Sequence, residues 1–215
     1  MNYKLYDISQ PIFEGMPVYK NKMEKQPRIE VVQDFPASSA RESRLHLDAH
    51  TGTHVDAPLH MIPGGEDFGS ISLQDLVGPC RVLDLTQAED HIGKEDLLPH
   101  GIQKGEFLLL KTKNSETDSF RPDFIFLRED GAEYLAETGV RGIGIDALGI
   151  ERSQPGHPTH KRLFRQGILI VEGLRLKEVP EGDYFMVIAP LHLLTTEAAP
   201  ARALLLQFEP PVSGT

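Results

Sequence analysis

The 215-residue chain has no tryptophan and one cysteine, Cys80. A single thiol excludes an intrachain disulfide and any CxxC zinc ribbon, and it fits a reducing, cytoplasmic setting. With Val82 and Leu83 close by, Cys80 reads as a buried filler. No apolar run approaches the ~20 residues of a membrane span. The opening Met1-Asn2-Tyr3-Lys4-Leu5-Tyr6-Asp7 holds no signal-peptide hydrophobic region. Positive charge is scarce too, and a net charge of −10 argues against nucleic acid or an anionic membrane as partner. No GxGxxG follows a strand-like run, so a dinucleotide fold is not expected. A small-molecule substrate is the partner these absences leave.

What the chain does have is histidine, concentrated in one place. His46, His50, His54 and His60 fall within fifteen residues, with Asp48 and Asp56 among them. All six positions are even, so an extended segment would project them to one face, with Leu45, Leu47, Ala49, Val55 and Leu59 on the other. Imidazoles and carboxylates converging on one side are what a borderline divalent cation needs. His50 and His54 also have the spacing of helical zinc proteases, but Thr51 stands where those have their Glu, and Pro58 would break a helix. Thr51, Thr53 and Val55 favour extended structure, so a strand passing into a loop is expected here.

Short strand-like and helical runs alternate along the rest. Strands are expected over 4–8, 44–49, 81–85, 106–112, 141–146, 167–171, 184–189 and 203–208. Helices are expected over 72–77, 93–98, 128–138 and 159–165, the first opened by a capping-box-like Ser72 and Asp75. Turns are marked by Pro63-Gly64-Gly65, Gly78-Pro79 and Pro155-Gly156, and an end by Pro210-Pro211. One α/β domain over 1–215 follows. A second chemistry-bearing stretch has His157 and His160 before a helix, then Glu172 ending an apolar run. A carboxylate there must be paired, hold a metal or sit at an exposed edge. Asp146 ends Gly142-Ile143-Gly144-Ile145 in the same way, and no role is assigned to it or to His46, Asp48 or His157.

The run His50-Thr51-Gly52-Thr53-His54-Val55-Asp56-Ala57-Pro58-Leu59-His60 resembles the HxGTHxDxPxH signature of the cyclase-type metal-dependent hydrolases, which include bacterial kynurenine formamidases and isatin hydrolases. The resemblance continues through Gly144-Ile145-Asp146, Pro158-Thr159-His160, Glu172-Gly173-Leu174 and Ala199-Pro200-Ala201-Arg202-Ala203. It implies a compact domain of the swivelling β/β/α type, with a mixed, barrel-like sheet flanked by short helices. It also implies a homodimer or homotetramer.

Carried over, the resemblance makes His50, His54 and Asp56 ligands of one ion, with Asp56 bridging to a second held by His160 and Glu172. His60 is then the general acid/base. Zinc is the implied metal, as one or two ions, with manganese the alternative. The implied reaction is hydrolysis of an amide-type C–N bond, with N-formyl-L-kynurenine as substrate. A cyclic amide, imide or lactone is the alternative. A non-catalytic metal-dependent binding protein is a third reading, and a non-ligating His60 speaks against it. The family's Pro-x-Trp-Pro-Gly-Asp-like stretch reads Met16-Pro17-Val18-Tyr19-Lys20-Asn21 here, so Tyr19, with Phe13, is expected to line the substrate pocket.

Overall fold

Apolar runs such as Phe107-Leu108-Leu109-Leu110 have no polar face to turn to solvent, and they become strands buried on both sides. The structure, a computed structural model, describes residues 2–208. The ends of the expected 1–215 domain, with Pro210-Pro211, lie outside the described residues.

In chain order come β1 (Tyr3–Asp7), the hairpin β2 (Arg28–Gln33) and β3 (Glu42–His46), the short β4 (His54–Asp56), and β5 (Val77–Asp84). Next are β6 (His91–Ile92), α1 (Lys94–Leu97), β7 (Phe107–Lys111), β8 (Phe126–Leu127) and α2 (Glu129–Thr138). The chain continues with β9 (Gly142–Ile145), α3 (Pro158–Arg165), β10 (Leu169–Glu172), β11 (Gly182–Pro190) and β12 (Ala198–Phe208).

Seven strands, β12-β11-β5-β7-β9-β10-β4, form a ring that closes where β4 pairs back with β12. The β5-β7-β9-β10 pairs are parallel and the others antiparallel, which makes a mixed barrel as expected. β1 pairs with the far half of β12, and β2–β3 forms a separate ribbon.

Alternation along the strands builds two apolar clusters. Val55, Phe107, Leu109, Val171, Met186 and Leu205 belong to the one the barrel encloses. Leu108, Leu110, Ile143, Ile145 and Ile170 belong to the other, with Leu135 of α2 and Leu163 of α3. Gly142 lets Phe107 into the first cluster, since a Cβ there would stand 2.2 Å from its ring. Among the described residues no helix is long and apolar enough to cross a membrane.

Four expectations need correction. Gly78-Pro79 marks no turn, since both residues lie inside β5, paired with Met186 and Phe185 of β11. The helix expected over 72–77 is one 3₁₀ turn, Leu73–Asp75, and the chain enters β5 at Val77. Ser72 does cap it, accepting from the Gln74 N–H, but pairing of Val77 with Val187 of β11 takes over. The strand expected over 44–49 ends at His46, because the chain turns there and the Thr51 N–H donates to the Asp48 carbonyl. The shared parity of 46–60 therefore holds only within β4. His46 is exposed and bonded to Arg28 and Glu30, Asp48 pairs with Lys25, and Leu45 on the supposed apolar face is 60% exposed.

Candidate metal centre

β4 is the strand that closes the barrel, and it carries His54 and Asp56 on one face while Val55 enters the apolar interior. Its antiparallel register with β10 sets His54 opposite Glu172. The glycine after Glu172 makes this approach possible. Gly173 has φ +71°, and a Cβ on it would stand 2.4 Å from the Gly52 carbonyl oxygen. That same carbonyl accepts from His54 Nδ1 at 2.9 Å, and the Thr53 hydroxyl donates to the Gly173 carbonyl at 2.6 Å. A carbonyl can only accept, so His54 carries a proton on Nδ1, which leaves Nε2, on the carboxylate side, as the nitrogen a cation could take by displacing a proton. His50 arrives from the turn before β4, His60 from the 3₁₀ turn Pro58–His60 after it, and His160 from α3.

The distances divide the cluster around Asp56. Its Oδ1 lies 3.0 Å from His50 Nδ1 and 3.4 Å from His54 Nε2. Its Oδ2 lies 3.8 Å from His160 Nε2. Glu172 closes the set, with Oε2 3.4 Å from His54 Nε2 and Oε1 3.3 Å from His160 Nε2. The His60 ring centre lies 4.2 Å from that of His50, tilted by 45°, and 5.7 Å from that of His160, edge-on.

These groups fit a cation better than they fit each other. Both Asp56 oxygens, His54 Nε2 and His160 Nε2 are buried with no hydrogen-bond partner, which proteins ordinarily avoid. Most of the separations are too long for hydrogen bonds. A tetrahedron with bonds of about 2.0–2.1 Å has edges of roughly 3.3–3.4 Å, and three of the five separations, 3.4, 3.4 and 3.3 Å, have that length. Electrostatics agree. Burial opposes charge on His54, yet Asp56 and Glu172 push it up to about 9. Burial likewise opposes charge on His160, but Glu151, Glu172 and Asp56 carry it to about 10. Glu172, whose burial favours the neutral acid, is held well below the carboxylate range by His160 and His54. The carboxylates thus demand positive charge at this spot, and a divalent ion would supply it by displacing protons.

Glu151 has no counterpart in the expectations from sequence. It is buried, accepts from His157 Nδ1 at 2.7 Å and from the His160 N–H at 3.2 Å, and its Oε1 stands 3.4 Å from His160 Nδ1. A carboxylate behind a ligating imidazole fixes the ring and its tautomer. Its signal in the sequence is faint: one acid in the loop ahead of Pro155-Gly156, nine residues before His160. His157 starts α3 with left-handed backbone and serves Glu151.

A cavity of about 300 Å³ opens on this cluster, with His50, His54, His60, His160 and Glu172 at its deep end and Val18, Tyr19, Met61 and Leu148 on its walls. Tyr19 packs edge-on against Phe120 and Phe124, at 5.4 and 6.3 Å. Burial and the charges of Glu172 and Glu151 raise its pKa, so the phenol keeps its proton. Phe13, also expected along the pocket, is 48% exposed and does not line this cavity.

The Cyclase family model, described as "Putative cyclase", matches residues 6–152, more than half of the chain. The chain belongs to this family. Kynurenine formamidase from Maricaulis maris is 34% identical over 204 residues, covering 94% of this chain and 97% of that protein. The kynurenine formamidase of Bacillus thuringiensis subsp. konkukian is 32% identical, covering 93% and 95%. A solved structure of a predicted metal-dependent hydrolase from Bacillus stearothermophilus is 58% identical, with a TM-score of 0.88 over 96% of this chain and 99% of that one. Isatin hydrolase A from Labrenzia aggregata, bound to benzyl benzoate, shares the fold at a TM-score of 0.84 and 23% identity, covering 96% and 94%. This cyclase-family chain is a metal-dependent hydrolase of the arylformamidase-like kind.

Proposed function

We propose that the chain hydrolyses the formamide of an aryl amine, with N-formyl-L-kynurenine the substrate to test, giving kynurenine and formate. The observation that carries this reading is the division of Asp56, one oxygen toward His50 and His54 and the other toward His160, with His60 beside them. His50, His54 and Asp56 would hold one divalent ion, and Asp56, His160 and Glu172 a second. Zinc is the first choice for a donor set of imidazole and carboxylate, and manganese the second. Such an ion lowers the pKa of water toward about 7 and polarises a carbonyl.

The remaining chemistry belongs to the chain. Water adds its oxygen to the formyl carbon, the C–N bond breaks, and the nitrogen leaves with a proton. His60 moves that proton. Burial holds its pKa below the usual imidazole value, so at neutral pH it is the free base that accepts from water before returning the proton to nitrogen. Tyr19, on its Phe120 and Phe124 backing, supplies a flat apolar wall for the aryl ring. Exposed Ile29, Val31, Phe35 and Leu45 on the β2–β3 hairpin support a homodimer or homotetramer, which sedimentation would report as two or four chain masses. The lone, buried Cys80 supports a cytoplasmic setting.

The test is a panel of N-formyl-L-kynurenine, isatin and a simple cyclic imide, run on zinc-loaded, manganese-loaded and chelator-stripped protein. Turnover of the formamide, lost on stripping and restored by metal, is expected. Turnover of isatin or the imide alone would move the substrate to the cyclic class. Inactivity toward all three would end the amide reading.

A further inference from the structure

Resting on the amide-hydrolase reading, we propose that Lys20 and Lys22, at the cavity mouth, are the residues that receive the substrate's carboxylate and select for it. In a chain of net charge −10, the six residues Lys20-Asn21-Lys22-Met23-Glu24-Lys25 hold three cations and one acid. All three lysines line the cavity that ends at the histidine cluster. They are not equivalent. Lys25 is neutralised by Asp48, Nζ to Oδ2 at 2.9 Å, inside the same lining. Lys22 meets only Glu24, at 3.5 Å, and both side chains are largely exposed, so that pair is readily exchanged for another anion. Lys20 has no carboxylate partner among the described residues, its Nζ lying 5.3 Å over the Tyr19 ring.

The backbone indicates that this arrangement is built in. Lys20 and Asn21 are successive non-glycine residues with φ of 58° and 50°, a region L side chains enter at a cost. The turn is closed by the Asn21 N–H donating to the Val18 carbonyl at 2.9 Å. It places a cation directly after the aromatic wall, in the lining of the same cavity as the histidines. A molecule spanning the cavity would present its C–N bond to His60, its ring to Tyr19 and its carboxylate to Lys20 and Lys22.

The test uses two formanilides alike in shape, one anionic and one neutral: 4-formamidobenzoate, whose carboxylate lies across the ring from the C–N bond, and its methyl ester. Zinc-loaded protein should prefer the acid in KM at low ionic strength, and salt should erode the preference. Lys20→Gln/Lys22→Gln should cut the acid-to-ester ratio of kcat/KM by roughly tenfold, each exposed pair contributing up to about fivefold. A wild-type protein that shows no preference, or a preference that survives the double substitution, overturns the proposal while leaving the amide reading intact. If neither formanilide turns over, the amide reading fails and titration of zinc-loaded protein with benzoate and benzamide decides the lysines. Benzoate affinity falling in the double variant supports them. Benzoate affinity equal in both proteins, as direct metal ligation would give, removes them.

Discussion

Two acids end neighbouring parallel strands, and the fold gives them opposite lives. Glu172 is the last residue of β10, and Asp146 follows the last residue of β9. Val171 pairs with Gly144, which puts Glu172 level with Ile145 and Asp146 one step beyond. Since successive side chains alternate, that one step sends the two carboxylates to opposite faces. Glu172 meets imidazoles and takes one hydrogen bond, from the Ile150 N–H at 2.6 Å. Asp146 meets donors only: the N–H and hydroxyl groups of Thr112 and Ser115 and the Asn114 amide, all within 3.5 Å. Burial pushes Asp146 up to about 6 against these donors, while histidine charge drives Glu172 far the other way. Hydroxyls and amides consume a carboxylate's lone pairs. Imidazoles with free nitrogen leave them for a cation.

The sharpest break of this comparison is to neutralise each acid in turn. Glu172→Gln should lower metal content and take hydrolysis to background, whereas Asp146→Asn should keep its metal. Elemental analysis beside the kcat of each variant checks this, and equal metal loss in both would dissolve the distinction.

Next in size is the histidine beside the Glu172 cluster that is kept from ligation in the proposed scheme. His60→Ala should retain metal and lose about 10²–10⁴ in kcat. In the wild type, kcat/KM should rise with pH along a limb centred below the ordinary imidazole value of about 6.5, because burial lowers the His60 pKa and the base acts when deprotonated. Loss of metal in step with activity would make His60 a ligand, as its proximity to His50 and Asp56 allows.

The smallest effect belongs to stability. Asp146→Asn should cost about 1–3 kcal/mol, since one amide oxygen replaces two acceptors and its NH₂ faces donors. A group whose folded pKa is raised contributes stability that is complete below the unfolded value, 3.8, and is lost as pH climbs through about 6. The wild-type advantage over Asp146→Asn in urea unfolding should therefore be larger near pH 4 than at pH 7. A constant difference across that range would remove the raised pKa from the account.

The sequence was most legible where chemistry and chain order coincide. His50, His54, Asp56 and His60 lie within eleven residues, and no folding knowledge is needed to see them as one group. A single extended face does not account for their convergence. His50 and His60 come from turns, and only His54 and Asp56 share a strand face. The apolar runs of β7 and β10 announced buried strands because both their faces are covered. β2 was invisible: Arg-Ile-Glu-Val-Val-Gln lies in an exposed ribbon, where no buried face disciplines the pattern. Glu151 was invisible for another reason. Its importance comes from a loop folding back on His160, and an isolated acid among Arg152, Ser153 and Gln154 carries no trace of that.

β4 holds two of the cluster's side chains in a strand of three residues whose edges belong to chain segments made much later. One edge pairs with 170–172 and the other with 198–200. On the ribosome, the histidine-rich motif therefore emerges long before either neighbour exists to hold it. The nascent chain holds His50, His54 and Asp56 before either partner strand is made, the proposed bridging arrangement waits for β10, and closure of the ring waits for β12. Synthesis itself thus times the enzyme's competence, and a polypeptide released short of residue 198 would carry the whole signature and none of the barrel closure that organises it.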